Sequence, residues 1–330
     1  MTNNNYLEEL KMKLARLLPA IALVVASQTA HAAYQLNVSI ALSPQDPIAQ
    51  ALQSAQQSIE ERSEGELTIQ IFPNSQLGSD EDVVEQIRSG ANIAILIDAG
   101  RLSEYQPELG ILSAPYLVED PRDYAQITAS PLYQKWVEGL AGVSGLRLLN
   151  YNWFQGSRQM LTQKEVKAPA DLNGIRIRTI NSPVWVKTIE AMGATATPLP
   201  WSEVYSALQL GSIDGAEAQL TAAEGQNLHE VITNVALTNH IHLMTGIATS
   251  DQWYQTLPEE LRTILDEELL KAGDAASQAT MEAQAAVQER MEAEGVTFTA
   301  VDLDLFREGV GSVYEELGYD QYREQLLSGE

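Results

Sequence analysis

Three arginines, Arg158, Arg176 and Arg178, fall within 21 positions of a chain that is otherwise poor in cations. An arginine presents a planar fork that grips a carboxylate through two parallel charge-assisted hydrogen bonds, which the point charge of a lysine cannot copy. In an extended segment Arg176 and Arg178 share one face, while Ile175 and Ile177 take the other. The cluster suits recognition of an anion. An ordinary salt bridge between elements is the competing reading, and composition alone favours it.

Other chemistries fail on residue type or spacing. His229-Glu230 opens a metalloprotease pattern, but Thr233 stands where the second histidine belongs. His240 and His242 share a strand face without an evident third ligand, so packing is the expected role. Asp80-Glu81-Asp82 lacks the alternating oxygens and central glycine of a calcium loop, and acids at a helix start need no metal to explain them. No nucleophile elbow, phosphate-cradling loop or dinucleotide fingerprint occurs. With no cysteine in the chain, thiol catalysis and thiolate zinc sites are excluded. No metal or cofactor is expected.

The elements that must carry the arginines alternate between strand and helix, the pattern of α/β architecture. Gln35 to Ala41 reads as a strand. Asp46-Pro47 then opens a helix whose Ile48, Leu52, Ala55 and Ile59 form one apolar face. Leu67, Ile69 and Ile71 alternate as a strand, Ser79 and Asp82 form a capping box, and Ile93 to Ile97 is a fully apolar strand. Leu146 to Asn150 and Ile175 to Ile180 read as further strands, and Pro183 to Gly193 and Ser202 to Gly211 as helices. Beyond Pro258 the run Glu259 to Glu294 has no proline and predicts one long helix or two nearly collinear ones lying across the body, with a last strand and helix after it.

The 330 residues carry 45 Asp and Glu against 20 Lys and Arg, a net charge of −25. That balance argues against nucleic acid or an anionic membrane as partner, since both need basic patches. At the N-terminus Lys11, Lys13 and Arg16 precede the apolar run Leu17 to Ala26, and Ala30-His31-Ala32 follows as a small-x-small site. Residues 1–32 are therefore expected to be an export signal cut before Ala33, and the basic start reads better from Met12 than from Met1.

Residues 171–219, DLNGIRIRTINSPVWVKTIEAMGATATPLPWSEVYSALQLGSIDGAEAQ, resemble the core signature of the DctP-like solute receptors of tripartite ATP-independent periplasmic (TRAP) transporters. The segments ELTIQIFPNSQLGSDEDVVEQIRSGANIAI, ILSAPYL and TNHIH extend the resemblance over essentially the whole chain after the signal. It implies a two-lobed α/β periplasmic binding protein fold with hinge strands and a long lobe-spanning helix. Lobe I would comprise residues 33–155 and roughly 244–283, and lobe II roughly 156–243 and 284–330. A monomeric periplasmic receptor would close on a small organic acid and deliver it to a TRAP membrane permease.

Carried over position by position, the resemblance makes Arg178 the carboxylate-pairing arginine and Arg158 a second cleft arginine. Asp98, Asn181, Trp201 and Glu217 fall at or beside cleft positions, and Trp153 and Trp185 are aromatic candidates for its wall. Core packing competes for Trp201, and bracing of the arginines competes for Glu217. Ala218 departs from the asparagine common in the family, and Gln219 is no automatic substitute because neighbours in an extended segment face opposite ways. A sugar acid or other hydroxylated monocarboxylate is the leading ligand, with a C4-dicarboxylate and a bulkier aromatic or keto acid left open. The alternative from another class is an exported hydrolase using Asp98 and Glu217 as paired carboxylates.

Overall fold

The computed structural model describes residues 34–328. The expected export signal lies outside them. Among the described residues no helix is long and apolar enough to cross a membrane.

Two sheets organise the chain. The first has five strands in the order β2 (Leu67–Phe72), β1 (Tyr34–Ser39), β3 (Ile93–Asp98), β10 (His242–Ser250), β4 (Leu146–Ser157). The second has six: β11 (Thr297–Thr299), β9 (Asn234–Ala236), β5 (Gln159–Thr162), β8 (Gly215–Ala218), β6 (Arg176–Thr179), β7 (Thr195–Pro198). β1 runs parallel to β2 and β3. Every residue of β3 is buried, as a central strand covered on both faces requires, with β1 parallel on one side and β10 antiparallel on the other. The helix Pro47–Arg62 starts where expected: Asp46 accepts the Ile48 N–H, Pro47 supplies N1, and Ile48, Leu52, Ala55 and Ile59 are buried. The capping box of Ser79 and Asp82 is formed at the start of the helix Asp80–Arg88.

Among the described residues two direct strand-to-strand connections pass between the sheets, and a third passage runs from β10 through the long helix to β11. β4 runs into β5 through Arg158, and β9 returns to β10 through residues 237–241. The crossings are bonded side by side, Arg158 N–H donating to the Ile241 carbonyl at 2.8 Å and His240 N–H to the Arg158 carbonyl at 3.3 Å. β4 is longer than the sequence suggests. Its second half, Tyr151–Ser157, mixes polar and aromatic residues because it pairs with β10 through a register shift and bends at Gly156, whose φ of +119° suits only glycine.

The long helix is a single element, Glu259–Ala293. At 1.5 Å per residue it spans roughly 50 Å. It packs against the helix Pro47–Arg62 and β4 on one side and against the helix Leu220–Gly225 and β11 on the other. Arg62 pairs with Glu267 and Glu268 near its start, and Arg290 with Glu224 near its end. Gly273 inside the helix is there for space: a Cβ would lie 2.4 Å from Asn152 Oδ1, while Asn152 Nδ2 donates to the Leu270 carbonyl and to Asp274 Oδ1 at 2.8 Å. The expected last helix is broken into Leu303–Gly309, Ser312–Glu316 and Asp320–Ser328, the last packing on the helices Tyr124–Ala129 and Pro131–Ser144.

Candidate functional site

A small cavity of about 50 Å³ lies between the sheets. Asp80, at a helix start, Asp98, at the end of β3, and Arg101, in the short helix Ala99–Leu102, reach it from the side of the first sheet, and Arg178, Trp201 and Gln219 from that of the second, with Gln155 and Arg158 at the crossover and Ala41, Leu42 and Leu243 among its apolar wall. A larger cavity of about 290 Å³ under the long helix is lined by Tyr124, Tyr151, Phe154, Met244 and Met281. It holds no buried charge, so charge and not size singles out the first.

Arg178 sits near the end of β6, where Ile177 is buried on the opposite face. Its partner in the sequence pattern, Arg176, stays at the surface bonded to Asp214 at 2.9 Å. Arg178 is 2% exposed, and its only side-chain hydrogen bond among the described residues runs from Nε to the Leu199 carbonyl at 2.9 Å. Its guanidinium carbon lies 5.2 Å from the Trp201 ring centre. Burial, opposed by the charges of Glu217 and Asp80 and joined by repulsion from Arg158 and Arg101, brings the Arg178 guanidinium down to about 9. A buried cation without a carboxylate is a costly arrangement in a ligand-free protein.

The other two buried arginines are already neutralised. Arg158 gives Nε to Glu217, Nη1 to Gln219 Oε1 and Nη2 to the Glu217 backbone carbonyl. Burial raises the Glu217 carboxyl, but the charge and hydrogen bond of Arg158, with the His240 imidazole 3.7 Å away, carry it down to about 2. Thr179 Oγ1 also donates to Glu217, at 3.1 Å. Arg101 pairs with Asp98 at 2.6 Å and with Asp80 and Glu81 at 3.1 Å; burial works against its cation, and these carboxylates hold it protonated.

The structure therefore brings Arg178, Arg158, Asp98 and Trp201 to the cavity and separates the rest. Glu217 lies behind Arg158 as a brace, off the cavity wall. Trp201 does line the wall, and its buried Nε1 has no hydrogen-bond partner among the described residues. Trp153 is fully buried core with Nε1 given to Asn150, at 2.7 Å, so it forms no part of the wall. Trp185 is buried beside the site and donates to Asp98 Oδ1 at 2.9 Å. Asn181 is exposed in the turn after β6, away from the cavity. Asp98 and Glu217 are tied to different arginines and form no acid-base pair across a substrate space.

Sequence reasoning missed Asp80, Arg101, Gln155 and Gln219 as cavity residues. Asp80 is a helix-start acid, as expected, yet it turns inward to Arg101 instead of to solvent. Gln219 faces the site because β8 ends at Ala218 and residue 219 begins the next helix as its N-cap, so strand alternation no longer governs its direction. His240 and His242 diverge, to Thr238 and Glu217 and to Ser157 and the Glu119 carbonyl respectively. Among the described residues no cluster of three or more metal-ligating side chains occurs.

Two sheets joined by a pair of crossings, with an uncompensated cation in the cleft, define a two-lobed solute-binding protein. The chain belongs to the bacterial extracellular solute-binding proteins of family 7 (DctP), which it matches over residues 38–321. It is 27% identical to the sialic acid-binding periplasmic protein SiaP of Vibrio cholerae over 78% of this chain and 80% of that one. A TRAP periplasmic solute-binding protein from Escherichia fergusonii, in an apo open structure, is 42% identical and superposes with a TM-score of 0.78 over 90% of this chain and all of that one. One from Ochrobacterium anthropi with bound L-fuconate is 30% identical yet superposes with 0.87, over 90% of this chain and 99% of that one. The backbone thus follows the ligand-bound relative more closely than the open one. Like these relatives, the protein is a TRAP solute receptor and not an enzyme.

Proposed function

We propose that this protein captures a hydroxylated monocarboxylate, a sugar acid, in the periplasm and hands it to a TRAP membrane permease. The observation that carries the ligand class is the pairing state of the buried arginines: Arg101 and Arg158 hold their own carboxylates, and Arg178 holds none. One free fork takes one carboxylate. The remaining polar groups at the wall, Gln155, Gln219 and the unpartnered Trp201 Nε1, suit hydroxyls along the rest of the ligand. Sialic acid and L-fuconate, in the names of two relatives, are both polyhydroxylated carboxylates.

The lobes are residues 33–155 with roughly 244–283, and roughly 156–243 with 284–330, the final helix reaching back onto the first. The cavity is lined by groups from both lobes, so the lobes part to admit the solute and close on it. The receptor acts as a monomer after removal of residues 1–32.

A calorimetric titration of the mature protein with L-fuconate, D-glucuronate and succinate tests this reading. Saturable binding of a sugar acid with little affinity for succinate is the expected result. Preference for the dicarboxylate would overturn the monocarboxylate assignment and imply that a second arginine gives up its protein partner.

A further inference from the structure

Trp185 and Asp98 come from different halves of the molecule. Asp98 ends β3 of the first sheet, and Trp185 lies in the helix Pro183–Ala191 that follows β6 of the second. Trp185 Nε1 donates to Asp98 Oδ1 at 2.9 Å, with both residues buried. The indole enters a notch made by Gly100, where a Cβ would lie 2.3 Å from Nε1 and 2.6 Å from Cδ1 of the ring. Gly100 has no left-handed φ, so space and not backbone conformation is what a side chain there would violate. The face of the same ring carries the guanidinium of Arg158 at 5.1 Å.

We propose that Trp185 is the latch of the closed form, a positioning residue that joins lobe I to lobe II without touching the solute. The inference rests on the lobe motion of the preceding reading. With the lobes apart, the indole N–H and Asp98 Oδ1 are each met by water. With the lobes together they meet each other in a dry site, where a bond to a charged acceptor is among the stronger ones. Asp98 is prepared for this by Arg101, which donates to it from its backbone N–H at 3.1 Å and from Nη1 at 2.6 Å and so fixes the carboxylate before the indole arrives. Because no ligand atom takes part, the latch slows release of whichever solute is bound.

The chain has no cysteine, so a pair introduced at Glu85 and Leu210, both exposed and in opposite lobes, takes nitroxide labels cleanly. Electron double resonance then reads the distance between lobes in the wild type, Trp185→Phe and Gly100→Ala, with and without L-fuconate. The expected result is a closed population in the wild type that falls roughly tenfold relative to the open one in Trp185→Phe. It is absent in Gly100→Ala, whose methyl group occupies the notch. Release of L-fuconate in stopped flow is faster by the same factor in Trp185→Phe. Thermal unfolding confirms that each variant is folded. Identical distance distributions in all three proteins overturn the latch. If L-fuconate closes all three alike, the latch falls while the ligand reading stands. If L-fuconate does not bind but the ligand-free distances respond to the substitutions, the latch stands while the ligand reading fails.

Discussion

Glu217 holds Arg158 twice, through its carboxylate to Nε and through its own backbone carbonyl to Nη2 at 2.7 Å, and both residues are buried. Removing the negative charge leaves Arg158 desolvated beside Arg178. Glu217→Gln keeps the shape and is expected to lower stability by about 3 kcal/mol, the cost of breaking a buried ion pair. The sign of its pH dependence follows from the shift. The folded carboxyl titrates at about 2, below its ordinary 4.5, so its stabilisation is complete above about pH 4.5 and is lost as pH falls toward 2. Urea midpoints measured from pH 6 to 3 should fall steeply in the wild type and less steeply in Glu217→Gln.

Arg178 is expected to show opposite effects on binding and on stability. Arg178→Ala should weaken a carboxylate ligand by roughly 30-fold or more, from a loss of about 2 to 5 kcal/mol, with Arg178→Lys between it and wild type. Arg178→Met, which fills the space without the uncompensated charge, should raise the melting temperature of the ligand-free protein. Calorimetric titration and thermal unfolding of the same preparations check both halves. A fall in melting temperature for Arg178→Met would mean that the guanidinium is compensated within the protein.

At Gly273 the usual helix rule should reverse. Gly→Ala inside a helix ordinarily gains about 1 kcal/mol. Here the added methyl group meets Asn152 Oδ1 at 2.4 Å, where the long helix is bonded to β4. Gly273→Ala should therefore destabilise, and a higher urea midpoint than wild type would refute the packing argument.

Asp46 buries a carboxylate whose Oδ2 has no hydrogen-bond partner among the described residues. Burial, opposed by the hydrogen bond from the Ile48 backbone and by the nearby Thr221, lifts its carboxyl to about 6 from 3.8. The folded protein therefore holds a proton that the unfolded chain has lost, and stability falls as pH rises from about 4 to 6. Asp46→Asn keeps a good N-cap without the charge and should gain on the order of 2 kcal/mol at pH 7 and remove that slope. Unfolding midpoints of the two proteins at pH 5 and 7 make the comparison.

Which parts of this were legible in the sequence depended on how local their causes are. Capping at Asp46 and Ser79, the apolar face of residues 48–59, the buried run of β3 and the helical run after Pro258 are decided within a few residues of themselves and appear in the structure, where that run, read as one helix or two, is one. The second half of β4 was not legible, because Tyr151–Ser157 becomes strand only by pairing with β10, about 90 residues later. At the site, Arg178 is marked by residue type and motif. The difference between Arg158, which is spoken for, and Arg178, which is not, depends on Glu217 and Gln219, some 60 positions from Arg158, and no spacing rule states it. Trp153 and Trp185 look alike in sequence, yet one N–H ends in the core on Asn150 and the other crosses to Asp98.

Arg158 is also the residue through which the chain leaves the first sheet, with its backbone N–H on Ile241 and its carbonyl receiving His240 from the returning strand. Its guanidinium lines the cavity while its backbone is one of the two pivots. A receptor built this way needs no relay from binding site to joint. Any rotation of the crossing strands displaces the floor of the pocket by way of a single residue, so substitutions that only stiffen or loosen the backbone near 156–158 and 239–241 should change which solutes fit, without altering one side chain that touches them.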